Sequence, residues 1–397
     1  MRRLSKPIPD LYTLTGYTLN QNYGKALTGL DLPDDLRQKQ QERMEKVFAG
    51  KKSDCIPVSA DTRWWFVENY HDGTLHQKLD GCDIHKILMC SPKPPSLKPV
   101  IEQTDDQLPG VSKEEIWEGD PVVYKNGGYP GTYRTVKTTT PIGFITASEA
   151  YASRSFGIVE YPVKTVDDLD IVRYIYQERA AHDETEYQEI NWCAPMTPLQ
   201  ILLVQIAGVE TTTYLLADHR KSVEDFMDFL DEIHKPVITY IARKNKMIFS
   251  VENYSADVCA GYFDKYLGPQ LQKRLKIAKE YGVNLGVHHD GKLQPLFGRL
   301  KEAGVNYANG ITAAPSGDLE LEQLRKIAGD DMLMCDIIPQ CIFMDHYSID
   351  FFKNYIKRAA EVFRGDNKVI LGIGDMLPCT ADIKRYEIMI DIIMEGS

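Results

Sequence analysis

The sequence predicts an α/β protein in which parallel strands, covered by helices, close into an eight-stranded barrel. Three observations carry this expectation. From about residue 165 onward, apolar strand-like runs alternate with runs of helical period, the order that builds a parallel sheet. Polar and ionisable residues stand just past the ends of many of those strands, as a barrel mouth requires. No glycine-rich phosphate fingerprint comes after any strand, which weakens the doubly wound, dinucleotide-binding alternative.

Composition narrows the function before any motif is read. The 397 residues, 43% hydrophobic and 26% charged, describe a folded soluble chain able to bury a full core without disulfides. With 46 basic and 57 acidic residues the net charge is -11, so nucleic acid and anionic membrane surfaces are poor partners. No run approaches the roughly 18 apolar residues of a membrane span. No signal-peptide core succeeds the basic start Met1-Arg-Arg-Leu-Ser-Lys-Pro7. The eight cysteines are scattered and none forms a C-x-x-C pair, so they read as free thiols of a cytoplasmic protein.

Residues 1–40 carry turn formers and few periodic apolar positions, and are expected to form an N-terminal arm. Residues 41–397 are the barrel domain. It opens with a helical stretch holding Arg43, Met44 and Val47, then a buried strand over Ile56–Ala60. Residues 91–165 are an inserted β excursion. There, breaker clusters Ser91-Pro-Lys-Pro-Pro-Ser96 and Asn126-Gly-Gly-Tyr-Pro-Gly131 precede a hairpin, Tyr133–Thr140 and Phe144–Ala147, joined at Pro141-Ile-Gly143. Further strands are expected at 189–194, 247–251, 283–287, 306–311, 332–338 and 369–373, with an eighth hidden among residues 199–216. Between them Phe226, Phe229, Leu230 and Ile233 recur at helical spacing behind Ser222 as an N-cap. Leu267, Leu271, Leu275 and Ala278 do the same before Gly282 as a stop. Ile349, Phe352, Ile356 and Ala359 form a third such stripe, and Ile383, Tyr386 and Ile390 a fourth.

A parallel barrel would gather at one face the residues just past each strand: Asp61-Thr-Arg-Trp-Trp65, Glu252-Asn-Tyr254, His288-His-Asp-Gly291, Asp336 and Asp375. In extended chain His288 and Asp290 point to one side and His289 to the other. Imidazole and carboxylate at that spacing suit one zinc ion, or the iron facial triad. The alternative is a hydrogen-bonded core histidine, with Asp290 capping a helix that starts near Lys292. Glu252 reads as a salt-bridged structural carboxylate or as a third ligand or base, and Asp375 as a turn cap or a functional acid. Trp64, Trp65, Trp192, Tyr254 and Tyr307 are candidate walls for a planar substrate, or core aromatics.

Several segments resemble one known family. They are Glu42-Arg-Met-Glu-Lys-Val-Phe-Ala-Gly-Lys-Lys-Ser-Asp-Cys-Ile-Pro57, Thr140-Pro-Ile-Gly143, Tyr161–Asp168, Val283–Leu293, Leu300–Asn306, Gly317-Asp-Leu319 and Ile370–Pro378. Together these resemble the uroporphyrinogen decarboxylase superfamily, over residues 40 to 395 or so. The resemblance implies a distorted (β/α)8 TIM barrel with its site at the C-terminal mouth. The family's decarboxylases carry an Arg-Gln-Ala-Gly-Arg motif that grips porphyrinogen carboxylates. The corresponding Val58-Ser-Ala-Asp-Thr-Arg-Trp-Trp65 has one arginine, which argues against a tetrapyrrole and leaves decarboxylation of a carboxylated ring as the alternative activity.

The nearer branch comprises corrinoid-protein-dependent methyltransferases, whose zinc ligands form a His-x-Cys-Gly pattern plus a later Cys. Here His288 is kept, while Asp290 and Asp375 stand where that branch has thiolates. This harder, oxygen-rich set implies an O-demethylase component acting on a methoxylated, aromatic substrate. The resemblance thereby implies His288, Asp290 and Glu252 as zinc ligands and Asp375, Glu252 and Asp336 as catalytic groups. Trp64, Trp65, Tyr254, Asn253 and Arg63 would contact the substrate. No Asp-x-His-x-x-Gly cobalamin motif is present, so the corrinoid is expected on a separate partner protein. A homodimer is a further candidate assembly, and a metal-dependent hydrolase or oxygenase and a non-catalytic binding barrel are the remaining readings.

Overall fold

The computed structural model describes residues 27–91, 108–118, 133–152, 155–180 and 193–396. The chain divides into two compact units. One holds Met1–Ser96, Asn253–Phe263 and Asn284–Ser397, the other Leu97–Glu252 and Asp264–Val283.

The second unit contains the β excursion, here an antiparallel meander of β1 (Ser112–Glu118), β2 (Tyr133–Thr140), β3 (Gly143–Ala152) and β4 (Ser155–Glu160) in sequential order. Its central hairpin falls where the sequence places it, with Thr140 opposite Gly143 around Pro141-Ile142. Gly143 has φ 149, and a Cβ there would stand 2.9 Å from Ile171 Cδ1, so this turn needs glycine. Arg134 ties three strands together through Glu115 on β1 and Glu149 on β3. The long helix Arg220–Lys244 buries Phe226 and Leu230 as its periodicity predicts, but it starts two residues before Ser222, which caps nothing. Gly282, at φ 65, ends helix Gly268–Tyr281 in the left-handed C-cap expected of it.

No strand hides among residues 199–216. Pro198–Gln200, a π-helical turn Ile201–Ile206 and helix Gly208–Asp218 occupy that stretch. A continuous apolar run such as Ile201-Leu-Leu-Val204 suits a buried strand and a buried helix equally, and here Pro198 at the first helical turn starts a helix. Most of the expected strand 189–194 lies outside the described residues; Ala194 bridges Ser250 in parallel.

In the first unit the helix expected after residue 40 begins at Asp34 and runs to Phe48. Its buried Gln40 donates to the Val58 carbonyl (2.8 Å), and Arg43 makes a bidentate pair with Asp54 (2.9 and 2.6 Å), which anchors the first strand segment. The parallel sheet runs from the end of β5 (Met247–Tyr254) through β6 (Asn284–His289), β7 (Tyr307–Asn309), β8 (Leu333–Cys335) and β9 (Val369–Ile370). Its registers set His288 beside Asn309, Tyr307 beside Leu333 and Cys335 beside Ile370. Val58 bridges Leu371 and so extends the sheet past β9, although Ile56–Ala60 forms no longer strand. Helices Leu321–Ala328, Ile349–Val362 and Ile383–Glu395 bury their apolar stripes, the last two capped by Ser348 and Asp382.

The result is α/β with a parallel sheet. Among the described residues the pairings form an open run and do not close into the expected ring. All eight cysteines are free thiols, as expected. No described helix is long and apolar enough to cross a membrane.

Candidate functional site

The C-terminal ends of the parallel strands in the first unit are conformationally unusual. Among the described residues, the non-glycine positions with positive φ are Asn253 (50°), Asp336 (59°) and Asp375 (62°), all at or just past strand ends. Asn and Asp tolerate this region better than other side chains, yet each costs of order 1–3 kcal/mol and persists only where its surroundings enforce it. Gly372 supplies part of that enforcement: a Cβ there would fall 2.2 Å from both Asp336 Oδ1 and the Ser59 carbonyl. Only a residue without a side chain lets the Asp336 carboxyl lie down against the sheet.

Three side chains form a chain across adjacent strand ends. The Asn309 side chain and the Gly310 backbone N–H stand close enough to Asp336 to favour its ionised form. The Asn309 oxygen lies 3.1 Å from His288 Nδ1. Asp336 keeps partial solvent contact, but protein surrounds its carboxyl. Burial, followed by the charges of Asp375 and Asp61, pushes it up to about 8 against those two donors. Asp336 is therefore a protonated acid at neutral pH.

Asp375 is also raised, first by desolvation and then by Asp290 and Asp61, with His288 and Arg63 pulling it down. Asp290 is exposed and does not cap a helix: the nearest one runs over Leu296–Glu302, and Asp318 takes the Leu293 and Gln294 amides before it. Asp61 holds Arg63 through its Nε (2.8 and 3.0 Å) and its backbone N–H (3.0 Å). The one arginine of this group is thus committed to a neighbouring carboxylate.

Glu252 belongs to the second unit and is fully committed there. Thr197 donates its amide (3.0 Å to each oxygen) and hydroxyl (2.8 Å), Ser250 its hydroxyl (2.6 Å) and Arg274 its guanidinium (3.1 Å). Glu252 and Arg274 are 0% and 2% exposed. Of the two sequence readings, the salt-bridged structural carboxylate is the one these contacts describe. Among the described residues no three His, Cys, Asp or Glu side chains converge as a metal-ligand set. Of the three expected zinc ligands, His288 and Asp290 lie in the first unit and Glu252 in the second.

The aromatic candidates separate in the same way. Trp65 is wholly buried with its indole N–H on the Ala381 carbonyl (2.9 Å), so it is core. Tyr254 is buried edge-on to His289, and Tyr307 stacks on Phe48 at 5.6 Å. Trp64 and Asn253 keep exposure, and Trp192 lies outside the described residues. One residue escaped sequence reasoning. Asn309 drew no notice inside an apolar strand, although its in-register position beside His288 is the signal that finds it. His289 is 0% exposed and neither ring nitrogen has a partner among the described residues; burial holds its pKa at about 3.

No protein-family model and no curated protein matches the chain. Among solved structures it is similar to a methyltransferase from Methanosarcina mazei, at 13% identity and a TM-score of 0.38, over 60% of this chain and 72% of that one. At that level the likeness carries no argument about fold or activity.

Proposed function

We propose that the chain is a methyltransferase that removes the methyl group of a methoxylated aromatic and passes it to the corrinoid of a separate partner protein. In this reading the open parallel run belongs to a (β/α)8 barrel of the uroporphyrinogen decarboxylase superfamily, with Asn253, His288, Asp336 and Asp375 at its mouth. The observation that carries the reading is Asp336, an acid kept protonated at neutral pH beside a histidine at the strand ends. An aryl methyl ether releases its methyl only if charge on the departing oxygen is neutralised, and a positioned acid provides that.

The reduced corrinoid supplies the nucleophile that accepts the methyl. The protein supplies the proton. As the carbon–oxygen bond breaks, Asp336 gives its proton to the oxygen and becomes a carboxylate, which the Asn309 and Gly310 donors stabilise. Asp375, solvent-facing and also raised, can return a proton from water. Half-buried Trp64 and exposed Asn253 are the expected contacts that remain to position the ring. Zinc, which the family resemblance implies, would need a third donor drawn to His288 and Asp290, and no step here uses it.

The test is incubation of the purified chain with a panel of methoxylated arenes and a reduced corrinoid protein. The expected result is the free phenol, with loss of the reduced-corrinoid spectrum. Absence of any phenol across the panel would sink the reading. Release of CO2 from a carboxylated ring without a corrinoid would instead favour a decarboxylase.

A further inference from the structure

We propose that Asn309 is a positioning residue whose side-chain amide fixes His288 in the tautomer protonated at Nδ1, leaving Nε2 as a free lone pair at the strand ends. The inference deepens the proposed function and rests on it only for its catalytic consequence; its first readout needs no substrate.

The tautomer is decided by which atoms face each other. An asparagine amide has one acceptor and one donor end. Asn309 favours the ionised form of Asp336, as its Nδ2 end turned to that carboxyl would, and the contact observed on its other side is made by the oxygen. The remaining Oδ1 faces His288 Nδ1 at 3.1 Å. An oxygen acceptor requires a hydrogen on Nδ1, and a neutral imidazole then carries none on Nε2. The backbone leaves little freedom to rearrange this. His288 and Asn309 are paired in parallel register on β6 and β7. Gly310 comes next at φ 71, and a Cβ there would fall 2.8 Å from His288 Cε1 and 2.0 Å from the His289 carbonyl. The ring is therefore packed directly over backbone that has no side chain, with its Nδ1 edge turned to Asn309.

The consequence is chemical. An Nε2 lone pair can accept a proton or hold an electrophile, whereas the opposite tautomer could only donate there. For a metal-ligating histidine, losing the partner that sets its tautomer costs about 10- to 100-fold in metal affinity or activity, and that range is the scale taken for Asn309. Asn309 also joins His288 to Asp336, so one amide orients the base and lowers the cost of the carboxylate that Asp336 becomes.

The experiment is histidine-selective 15N labelling with long-range 1H–15N correlation, His288 being assigned by its loss in His288→Gln. Wild-type protein at neutral pH is expected to show His288 with Nδ1 protonated and Nε2 bare. In Asn309→Ala the ring should drift toward the Nε2-protonated form that free histidine prefers. Asn309→Asp, which retains an acceptor for the Nδ1 hydrogen, should restore the wild-type pattern. Finding Nε2 protonated in the wild type overturns the proposal whatever the variants do, as does an unchanged tautomer in a folded Asn309→Ala. Once methyl transfer is in hand, Asn309→Ala should lower kcat/KM by about 10- to 100-fold. A chain with no methyl transfer but the expected tautomer would refute the proposed function and leave this inference standing.

Discussion

Replacing Asp336 by asparagine should make the protein more stable and less active, and the size of the first effect can be worked from the site. The Asp336 carboxyl is raised from 3.8 to about 8. Between those values the folded chain holds a proton that the unfolded chain has released, so the unfolded state binds fewer protons and stability falls as pH rises. At 1.36 kcal/mol per pH unit, the folded state at pH 7 bears a cost of roughly 4 kcal/mol, an upper bound given the partial exposure of the side chain. An amide at this position has no ionised form to suppress and keeps an oxygen for the Asn309 and Gly310 donors. Urea unfolding at pH 5 and pH 7 tests this. Asp336→Asn is expected to gain on the order of 1–1.5 kcal/mol at pH 5 and 2–4 kcal/mol at pH 7, flattening the pH dependence. Loss of the acid should lower methyl transfer by about 10²- to 10⁴-fold. An Asp336→Asn protein no more stable than wild type at pH 7, with the same pH slope, would refute the reasoning.

Glu252→Gln and Glu252→Ala should destabilise by about 3–5 kcal/mol in chemical unfolding, because each leaves Arg274 without its buried partner; little loss of stability with complete loss of activity would return Glu252 to the catalytic group. Gly372→Ala, whose methyl would meet Asp336 and Ser59 at 2.2 Å, should cost about 1–3 kcal/mol, while Gly261→Ala, which meets nothing within 4 Å, should be nearly neutral in the same thermal melts. His234, buried and held at about 3, must stay neutral in the fold, so the stability this provides is present above pH 6.5 and declines as pH falls toward 3. His234→Gln should flatten that acid limb by up to about 1.4 kcal/mol per pH unit, as read from urea midpoints between pH 6.5 and 5.

Local pattern exposed the strand ends well and their partners poorly. The alternation of runs located β5 through β9, and the two-residue period within β6 correctly set His288 and His289 on opposite sides. The β2–β3 hairpin was equally plain, because β-branched residues flanking Pro-Ile-Gly leave few alternatives. What stayed hidden was set by residues far away in the chain. Glu252 looks like any acid closing a strand until Thr197, 55 residues earlier, and Arg274, 22 later, are seen to occupy it. Trp64 and Trp65 are neighbours in sequence, but they lie in helix Arg63–His71, where successive side chains diverge by about 100°, so one enters the core and the other keeps exposure. Reading that stretch as a helix start would have parted them from sequence alone.

The deepest polar groups of the two units embody opposite designs, and the contrast separates chemistry from architecture. In the second unit every oxygen of Glu252 is met by donors, at normal hydrogen-bond lengths, so its burial costs little once the partners are assembled. At the strand ends of the first unit the chain does the reverse. It holds Asn253, Asp336 and Asp375 in left-handed backbone and keeps Asp336 protonated against its solution preference; just below, it buries His289 with neither ring nitrogen partnered among the described residues. Each of these is a cost that a substitution to asparagine, glycine or leucine would remove, and they gather at one edge of one sheet. Backbone strain and a desolvated acid found together mark this edge as the candidate functional site. A buried, saturated carboxylate such as Glu252 meets the expectation for a structural pair, so the search for the reacting acid belongs at Asp336.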